Sequence, residues 1–232
     1  MIFVTGDTHI PIDIKKLNTS NFPEQKKMTR NDYVIVCGDF GLYWKRDKEY
    51  EHWRKWLLEK NFTVLWIDGN HENFDWINQM PIVEWHNGLV HKDENIIHLM
   101  RGNCYNINGY NFLTLGGALS VDKEQRQEHV SWWSDEMWSF SQTEYLFSTL
   151  ERIKICHDKI DYVISHTCPA SVLTPITGFS HNDYRDFTRQ LLDEVLMQIG
   201  VDGFKHWYFG HWHIDKDYGN FSCLYHRVVQ ID

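Results

Sequence analysis

The sequence predicts an α/β fold built on mixed β-sheets, and three observations support that prediction. Short apolar runs recur along the 232 residues, and each run ends in a loop that carries polar, chemically versatile side chains. Segments with apolar residues at helical spacing lie between these runs. A later segment has the alternation and turn residues of an antiparallel hairpin. No internal repeat or linker divides the chain, so we expect a single domain over residues 1–232.

Five apolar runs have the length and composition of β-strands. They are 2–4, 33–37, 63–67, 162–165 and 207–209. The first four are almost continuously apolar, as expected for strands that are covered on both faces.

The intervening segments supply the helices and the hairpin. Helical spacing of apolar residues predicts helices over 48–60, 142–157 and 185–199. An Asn-Gly turn at 108–109 joins two strands over 104–107 and 110–115, and residues 221–231 are predicted to form a further strand. Two stretches fit neither pattern, and we expect them to be loops over the functional site; they are 117–141 and 167–184.

Composition narrows the class of protein. The net charge of −9 disfavours tight, nonspecific binding to a nucleic-acid duplex. No apolar run approaches the length of a membrane span, and the N-terminus lacks the basic region of a signal peptide. The five cysteines are odd in number and form no C-x-x-C pair, which argues against a disulfide framework and predicts a cytoplasmic protein.

Potential metal ligands follow the five predicted strands. They are Asp7 and His9, Asp39, Asn70 and the adjacent His71, His166, and His211 and His213. Ligands gather at the carboxyl ends of strands in α/β folds, so we expect these side chains to meet. Their mixture of nitrogen and oxygen donors suits Mn, Fe, Zn or Ni better than Ca or Mg.

The motifs at these strand ends are GDTH at 6–9, GDF at 38–40, GNHE at 69–72, SH at 165–166 and GHWH at 210–213. This set resembles the calcineurin-like metallophosphoesterase superfamily over nearly the whole chain. The resemblance implies a four-layer sandwich of two mixed sheets flanked by helices, with two divalent metal ions, of which Mn is the leading candidate.

The resemblance also implies a role for each ligand. Asp7, His9, Asp39 and His213 would hold one metal, and Asp39, Asn70, His166 and His211 the other, so Asp39 would bridge the pair. His71 would contact the phosphate and protonate the leaving oxygen as a general acid.

Three positions depart from the pattern of the protein Ser/Thr phosphatases in this superfamily. Leu42 stands where the acidic partner of the catalytic histidine is expected, and Tyr43 and Asp68 replace the two phosphate-clamping arginines. Other residues must then bind the substrate, and four candidates follow the hairpin: Lys123, Arg126, Trp132 and Trp133. The alternative for this segment is an aromatic cover that seals the core, and His181 and Arg185 are weaker candidates.

These features together predict a dinuclear metal-dependent phosphoesterase that acts on a small or nucleotide-like phosphomonoester or phosphodiester. The missing arginines slightly favour diesters, which carry one charge less and need less clamping. A nuclease on the same scaffold and a metal-dependent scaffold that binds a partner protein without turnover are the alternatives. We expect no membrane partner and no strong binding of duplex nucleic acid.

Overall fold

The computed structural model describes residues 1–178 and 186–231, and the weaker candidates His181 and Arg185 lie outside them. The strands of the first sheet are β1 (Ile2–Thr5), β2 (Tyr33–Val36), β3 (Thr63–Trp66), β4 (Ile82–Trp85), β5 (Gly88–Asp93), β6 (Ile96–Leu99) and β13 (Val228–Ile231). Those of the second are β7 (Cys104–Ile107), β8 (Tyr110–Leu115), β9 (Tyr162–Ser165), β10 (His206–Phe209), β11 (Lys216–Tyr218) and β12 (Phe221–Cys223). The helices are α1 (Lys48–Leu58), α2 (Phe74–Ile77), α3 (Phe140–Ile155), α4 (Ala170–Thr177) and α5 (Phe187–Ile199).

Both sheets are mixed, with a parallel centre and antiparallel edges. The first has the order β13-β1-β2-β3-β6-β5-β4, and its four central strands from β1 to β6 run parallel. The second has the order β11-β12-β10-β9-β8-β7, with β12, β10, β9 and β8 parallel. Parallel strands end at the same edge, so each sheet brings several strand-to-loop junctions together.

Three apolar layers alternate with the two sheets. One layer lies between the sheets, where Val4 and Ile35 of the first face Ile164 of the second. A second layer packs α1 and α2 on the outer face of the first sheet, and a third packs α3, α4 and α5 on the outer face of the second. Helix, sheet, sheet and helix make four layers, which confirms the predicted fold class.

The predicted elements agree with the structure to within a few residues in most places. The five predicted strands and the hairpin are present, and Asn108 and Gly109 both have positive φ, as its two-residue turn requires. The predicted strand over 221–231 is wrong, because β12 and β13 belong to different sheets. The break follows from Asp215, whose carboxylate accepts hydrogen bonds from three successive backbone N–H groups between these strands.

One of the two predicted loops is a loop in the structure, and the other contains a helix. Residues 117–139 do form a long connection, with short 3-10 turns at Lys123–Gln125 and Ser134–Glu136. The prediction of a loop over 167–184 is wrong for its first half, which contains α4. That helix buries Val172, Leu173 and Ile176, so burial of this face outweighs the low helix propensity of Pro175 within it. No helix in the described ranges is long and apolar enough to cross a membrane.

Candidate metal centre

The predicted metal ligands converge where the two sheets meet. They follow β1, β2 and β3 of the first sheet and β9 and β10 of the second, all at carboxyl ends. The ligand atoms of Asp7, His9 and His213 lie within 4.8 Å of one another, and so do those of Asp7, Asp39 and His166. Two overlapping groups of donors therefore occupy one location. Asp7 belongs to both groups, so it is as central to the geometry as Asp39.

Asp39 lies between histidines of the two groups. Its Oδ2 is 3.2 Å from His9 Nε2, and its Oδ1 is 3.3 Å from His166 Nε2. The carboxylate is almost fully buried, and Oδ1 also accepts a hydrogen bond from the His71 backbone N–H at 2.8 Å. Each oxygen thus faces a different imidazole nitrogen, which is the arrangement that a bridging ligand needs.

Hydrogen bonds fix the orientation of both of these histidines. His166 Nδ1 donates to the Cys37 carbonyl at 2.7 Å, and His9 Nδ1 donates to Asp13 Oδ2 at 3.0 Å. Metal-binding histidines usually donate their second ring N–H in this way, and the bond leaves Nε2 free to coordinate. In both rings Nε2 points toward the carboxylate oxygens of the centre. The donor set therefore fits a cation.

The buried charges also call for a cation. Asp7 and Asp39 are both buried in a space where carboxylates repel each other. Burial and the nearby Asp39 raise the pKa of Asp7 to about 6. Burial would also raise the pKa of Asp39, but His166 and His9 hold it well below its usual range. Although burial alone would lower it, the two carboxylates raise the pKa of His166 to about 9. The carboxylates thus require positive charge between them, which a divalent ion supplies.

The loop after β10 supplies the last two predicted ligands, His211 and His213. The His211 backbone N–H donates to both oxygens of Asp7 at 3.0 Å, and the His211 ring lies 5.0 Å from that of His166. Burial and the neighbouring His166 lower the pKa of His211 to about 3, so this ring is neutral, as a ligand must be. His213 is half-exposed, stacks on Tyr225 at 4.6 Å, and lies 4.9 Å from the His9 ring.

Strained backbone occurs at several residues of this centre. Four of the predicted ligands adopt positive φ: His9 (34°), Asp39 (47°), His211 (67°) and His213 (50°). Residues other than glycine rarely adopt this region, and such strain persists where surrounding structure enforces it, often at functional sites. Gly69 shows how tightly the strand ends approach, because a Cβ there would lie 2.1 Å from Asp39 Oδ1.

Asn70 is oriented by a network that begins in the 117–139 connection. Its Nδ2 donates to Ser120 Oγ at 3.1 Å, and Ser120 Oγ donates to Glu136 Oε2 at 2.6 Å. The amide oxygen of Asn70 is thereby directed at His166 Nε2, 3.0 Å away. Ser120 and Glu136 thus select the amide orientation that a metal ligand requires.

His71 meets a guanidinium in place of the carboxylate that the family pattern would supply. Arg126 Nη1 lies 2.9 Å from His71 Nδ1, and Arg126 Nη2 donates to Asp122 Oδ2 at 2.8 Å. A guanidinium only donates, and its shorter contact is with Nδ1, whereas Nη2 lies 3.5 Å from Nε2. The shorter contact makes Nδ1 the acceptor, so the neutral ring carries its proton on Nε2. Burial lowers the pKa of His71, and the charge of Arg126 lowers it further. Of the predicted substrate-binding residues, Arg126 is thus the one that reaches a predicted catalytic side chain.

The other three candidates lie in the same connection with different exposures. Lys123 Nζ is 5.8 Å from the centroid of the half-buried Trp132 ring. Trp133 is 2% exposed, and its Nε1 donates to Asp75 Oδ2 at 2.8 Å. Its ring packs edge-to-face on Trp44 at 5.2 Å. Trp133 therefore has almost no free surface to offer a substrate, and its contacts are those of the aromatic-cover alternative.

The positions that lack arginine have structural roles. Asp68 is buried and accepts hydrogen bonds from Arg101 Nε at 2.6 Å and from His98 Nε2 at 3.1 Å. Arg101 also donates to three backbone carbonyls of residues 135–137, so the pair anchors the 117–139 connection. Tyr43 is buried in the apolar layer under α1, and its hydroxyl donates to Asp93.

Sequence reasoning missed the residues that orient the ligands. Asp13, Ser120 and Glu136 are polar residues in loops, and neither their type nor their spacing distinguishes them from other loop residues. Lys16 was missed as well; it is buried and donates to the carbonyls of Gly6, Asp7 and Tyr225. Its burial could not be predicted from the sequence, because lysine is rarely buried.

Known families, curated proteins and solved structures were compared with the chain. The family model described as calcineurin-like phosphoesterase matches residues 1–215. No curated protein matches the chain by sequence. The solved structures that it resembles include a phosphopantetheinyl hydrolase from Mycobacterium tuberculosis, with 15% identity, a TM-score of 0.45, and coverage of 97% of this chain and 87% of that one. Another is an NAD nucleotidase from Haemophilus influenzae, with 14% identity, a TM-score of 0.39, and coverage of 91% of this chain and 38% of that one.

Proposed function

Because the chain belongs to the calcineurin-like phosphoesterase family, we propose that it hydrolyses small phosphate esters with two divalent metal ions bound at the strand ends. One metal would be held by Asp7, His9, Asp39 and His213 and the other by Asp39, Asn70, His166 and His211. A bound pair of cations supplies Lewis-acid polarisation of the phosphoryl group and lowers the pKa of the attacking water.

The observation that carries this proposal is the position of Asp39. Its two oxygens lie 3.2 and 3.3 Å from the Nε2 atoms of histidines that belong to different strands and different sheets. Two histidines and one carboxylate can hold a single metal, but here each oxygen of Asp39 faces a different ring, and His9 and His166 belong to separate groups of donors. The arrangement is what two adjacent cations that share one ligand require.

The donor set favours a transition metal. Four imidazoles, two carboxylates and one amide oxygen suit Mn, Fe, Zn or Ni, whereas Mg and Ca prefer oxygen alone. We take Mn as the first candidate. Two carboxylates against two dications leave a net positive site within a chain of net charge −9, which suits an anionic substrate.

His71 would serve as the general acid, with Arg126 beside it. The contact at 2.9 Å on Nδ1 leaves the proton of the neutral ring on Nε2, the nitrogen that would face the leaving oxygen. The ring must take up a second proton, on Nδ1, before Nε2–H can be donated to the leaving oxygen as an acid. The negative charge of a bound phosphoryl group opposes the effect of Arg126 on the pKa of His71 and favours the protonated ring. Arg126 would thus tune the acid by its contact with the ring, while Lys123 and Trp132 do not reach His71.

The substrate would be small, either a monoester or a diester. A protein phosphatase clamps a dianionic phosphoryl group with two arginines, and here one guanidinium, that of Arg126, lies beside the candidate acid. The net charge of −9 disfavours long nucleic acids. All five cysteines are free, which fits the reducing cytoplasm as the proposed location.

The direct test is hydrolysis of 4-nitrophenyl phosphate and bis(4-nitrophenyl) phosphate by the purified chain with added Mn, Fe, Zn or Ni. We expect turnover that requires the metal, stops on chelation and falls in His71→Gln, by less than it would for esters with poorer leaving groups. Absence of turnover with every metal would favour the non-catalytic scaffold. Salt-sensitive cleavage of an oligonucleotide, at a higher rate than either ester, would favour the nuclease.

A further inference from the structure

A cavity of about 510 Å³ adjoins the metal centre. His9 and His71 form its border with the centre, and their rings are 6.0 Å apart. Cavities of 300–1,000 Å³ are the usual size for small organic ligands. A phosphoryl group held at the metals would therefore have its organic substituent at the mouth of this cavity.

The walls of the cavity are two loops that are held against each other. The backbone N–H groups of His9 and Ile10 donate to the carbonyls of Asp39 and Phe40, at 2.8 and 3.2 Å. Gly41 allows this approach, because a Cβ there would lie 2.7 Å from the Ile10 nitrogen. The cavity is thus built from the same loops that carry two of the predicted ligands, and its position relative to the metals is fixed.

The lining is mainly apolar. Ile10 and Ile12 contribute aliphatic surface, and Trp44 contributes an indole ring, while Leu42 forms part of the buried floor. Ile12 is 75% exposed, so a large apolar side chain stands open at this site. The Trp44 ring is held by the edge of Trp133, and the Trp44 carbonyl accepts a hydrogen bond from Asn73 at 2.9 Å.

The charged residues of the lining disfavour negatively charged substituents. Lys45 is opposed by Asp47 and Glu49, so these three side chains carry a net charge of −1. Asp47 is engaged as the N-cap of α1, where it accepts hydrogen bonds from two backbone N–H groups. Two carboxylates against one ammonium make the cavity net negative, which disfavours a second phosphate or a carboxylate on the organic part of the substrate.

We infer that this cavity is the specificity pocket of the enzyme and that it takes the uncharged aromatic group of a phosphate ester. The inference rests on the proposed function, because it places the phosphoryl group at the metals. It gives substrate choice to Ile10, Ile12 and Trp44, with the 117–139 connection acting through Trp133, which supports Trp44. The sequence-based prediction placed substrate binding in the segment after the hairpin, with weaker candidates at His181 and Arg185.

Binding of phosphonates, which cannot be hydrolysed, tests the inference independently of turnover. Calorimetry in the presence of Mn²⁺ would give dissociation constants for 1-naphthylphosphonate and methylphosphonate. In the wild type we expect the naphthyl compound to bind more tightly. In Trp44→Ala and in Ile12→Ser the preference for naphthyl over methyl should fall by about 10-fold, the usual effect of lost apolar contacts in a pocket.

Two further variants separate the pocket from indirect effects. Trp44→Phe keeps an aromatic ring and should restore most of the preference. Met197→Ala, which removes an apolar side chain that is 79% exposed on α5, should leave both constants unchanged. Trp44→Ala also removes a contact of Trp133 and so disturbs the 117–139 connection. Ile12 is largely exposed, so Ile12→Ser removes apolar surface from the cavity without that disturbance.

The outcomes distinguish the two proposals. If neither phosphonate binds and no ester is hydrolysed, the proposed function fails. If both phosphonates bind but the naphthyl preference is the same in wild type, Trp44→Ala and Ile12→Ser, the pocket inference is overturned and the proposed function stands. Tighter binding of a substituent with a second phosphate than of the naphthyl group would also overturn it.

Discussion

The contact between Arg126 and His71 makes a prediction about catalysis. Replacing Arg126 by alanine removes a charged donor that lies 2.9 Å from His71 Nδ1. Without it the ring can rotate or carry its proton on Nδ1, and either change takes the proton away from the position where the leaving oxygen would receive it. The sequence alone predicts an effect on KM from Lys123 and Arg126, whereas the contact with His71 predicts that the loss for Arg126 appears in kcat.

The size of the effect follows from the type of contact. A hydrogen bond from a charged donor contributes about 1.5–3 kcal/mol. Loss of that amount from the transition state lowers kcat by about 10- to 150-fold. Arg126 also bonds to Asp122 and to the Ser131 carbonyl, so part of any loss would come from the loop itself.

A double-mutant cycle separates these contributions. Steady-state kinetics on phenyl phosphate, whose leaving group needs protonation more than 4-nitrophenolate does, would be measured for Arg126→Ala, His71→Gln and the double variant, with Lys123→Ala as the matched control from the same loop. We expect the double variant to be little worse than His71→Gln, because Arg126 acts through the ring. Fully additive losses, or an equal fall in kcat for Lys123→Ala, would refute the proposed pairing.

Three further predictions concern the acid, one metal ligand and the buried histidines. His71→Gln should keep both metals and lower kcat by about 10²- to 10⁴-fold, less for esters with good leaving groups; loss of metal on elemental analysis would make His71 a ligand. Ser120→Ala should release the Asn70 amide and weaken Mn²⁺ binding by about 10-fold in a titration, and unchanged affinity would contradict the orienting role. Burial and the neighbouring His98 lower the pKa of His91 to about 4, so the unfolded state binds this proton more readily and stability falls as the pH drops from about 6.5 to 4. His91→Gln should flatten the pH dependence of the free energy of unfolding in that window, by at most about 3 kcal/mol in urea titrations, and parallel curves would argue against it.

The ligands and the central strands could be predicted because they follow local rules. Each ligand comes directly after an apolar run, and strand ends in a parallel sheet meet at one edge. Asp7, Asp39 and His166 therefore needed no knowledge of tertiary contacts to be grouped. The helix α4 could not be found in this way, because its stability comes from an apolar face that packs on the second sheet.

The partners of the ligands depend on contacts that the sequence does not encode locally. Ser120 lies 50 residues from Asn70, and Arg126 lies 55 residues from His71. The folding of the 117–139 connection decides which residues contact His71 and Trp44. These residues are Arg126 and Trp133. The same holds for the cavity beside His9, whose walls come from two loops that only the folded sheet brings together.

Metal stoichiometry tests the central claim most directly. The purified chain would be equilibrated with Mn²⁺, freed of loose metal and analysed for metal per chain, together with Asp39→Asn and the exposed control Asp202→Asn. We predict two ions in the wild type and in the control, and loss of tight binding at both sites in Asp39→Asn, because one carboxylate serves both. Two tightly held ions with full activity in Asp39→Asn, or a single ion in the wild type, would contradict the shared-ligand centre.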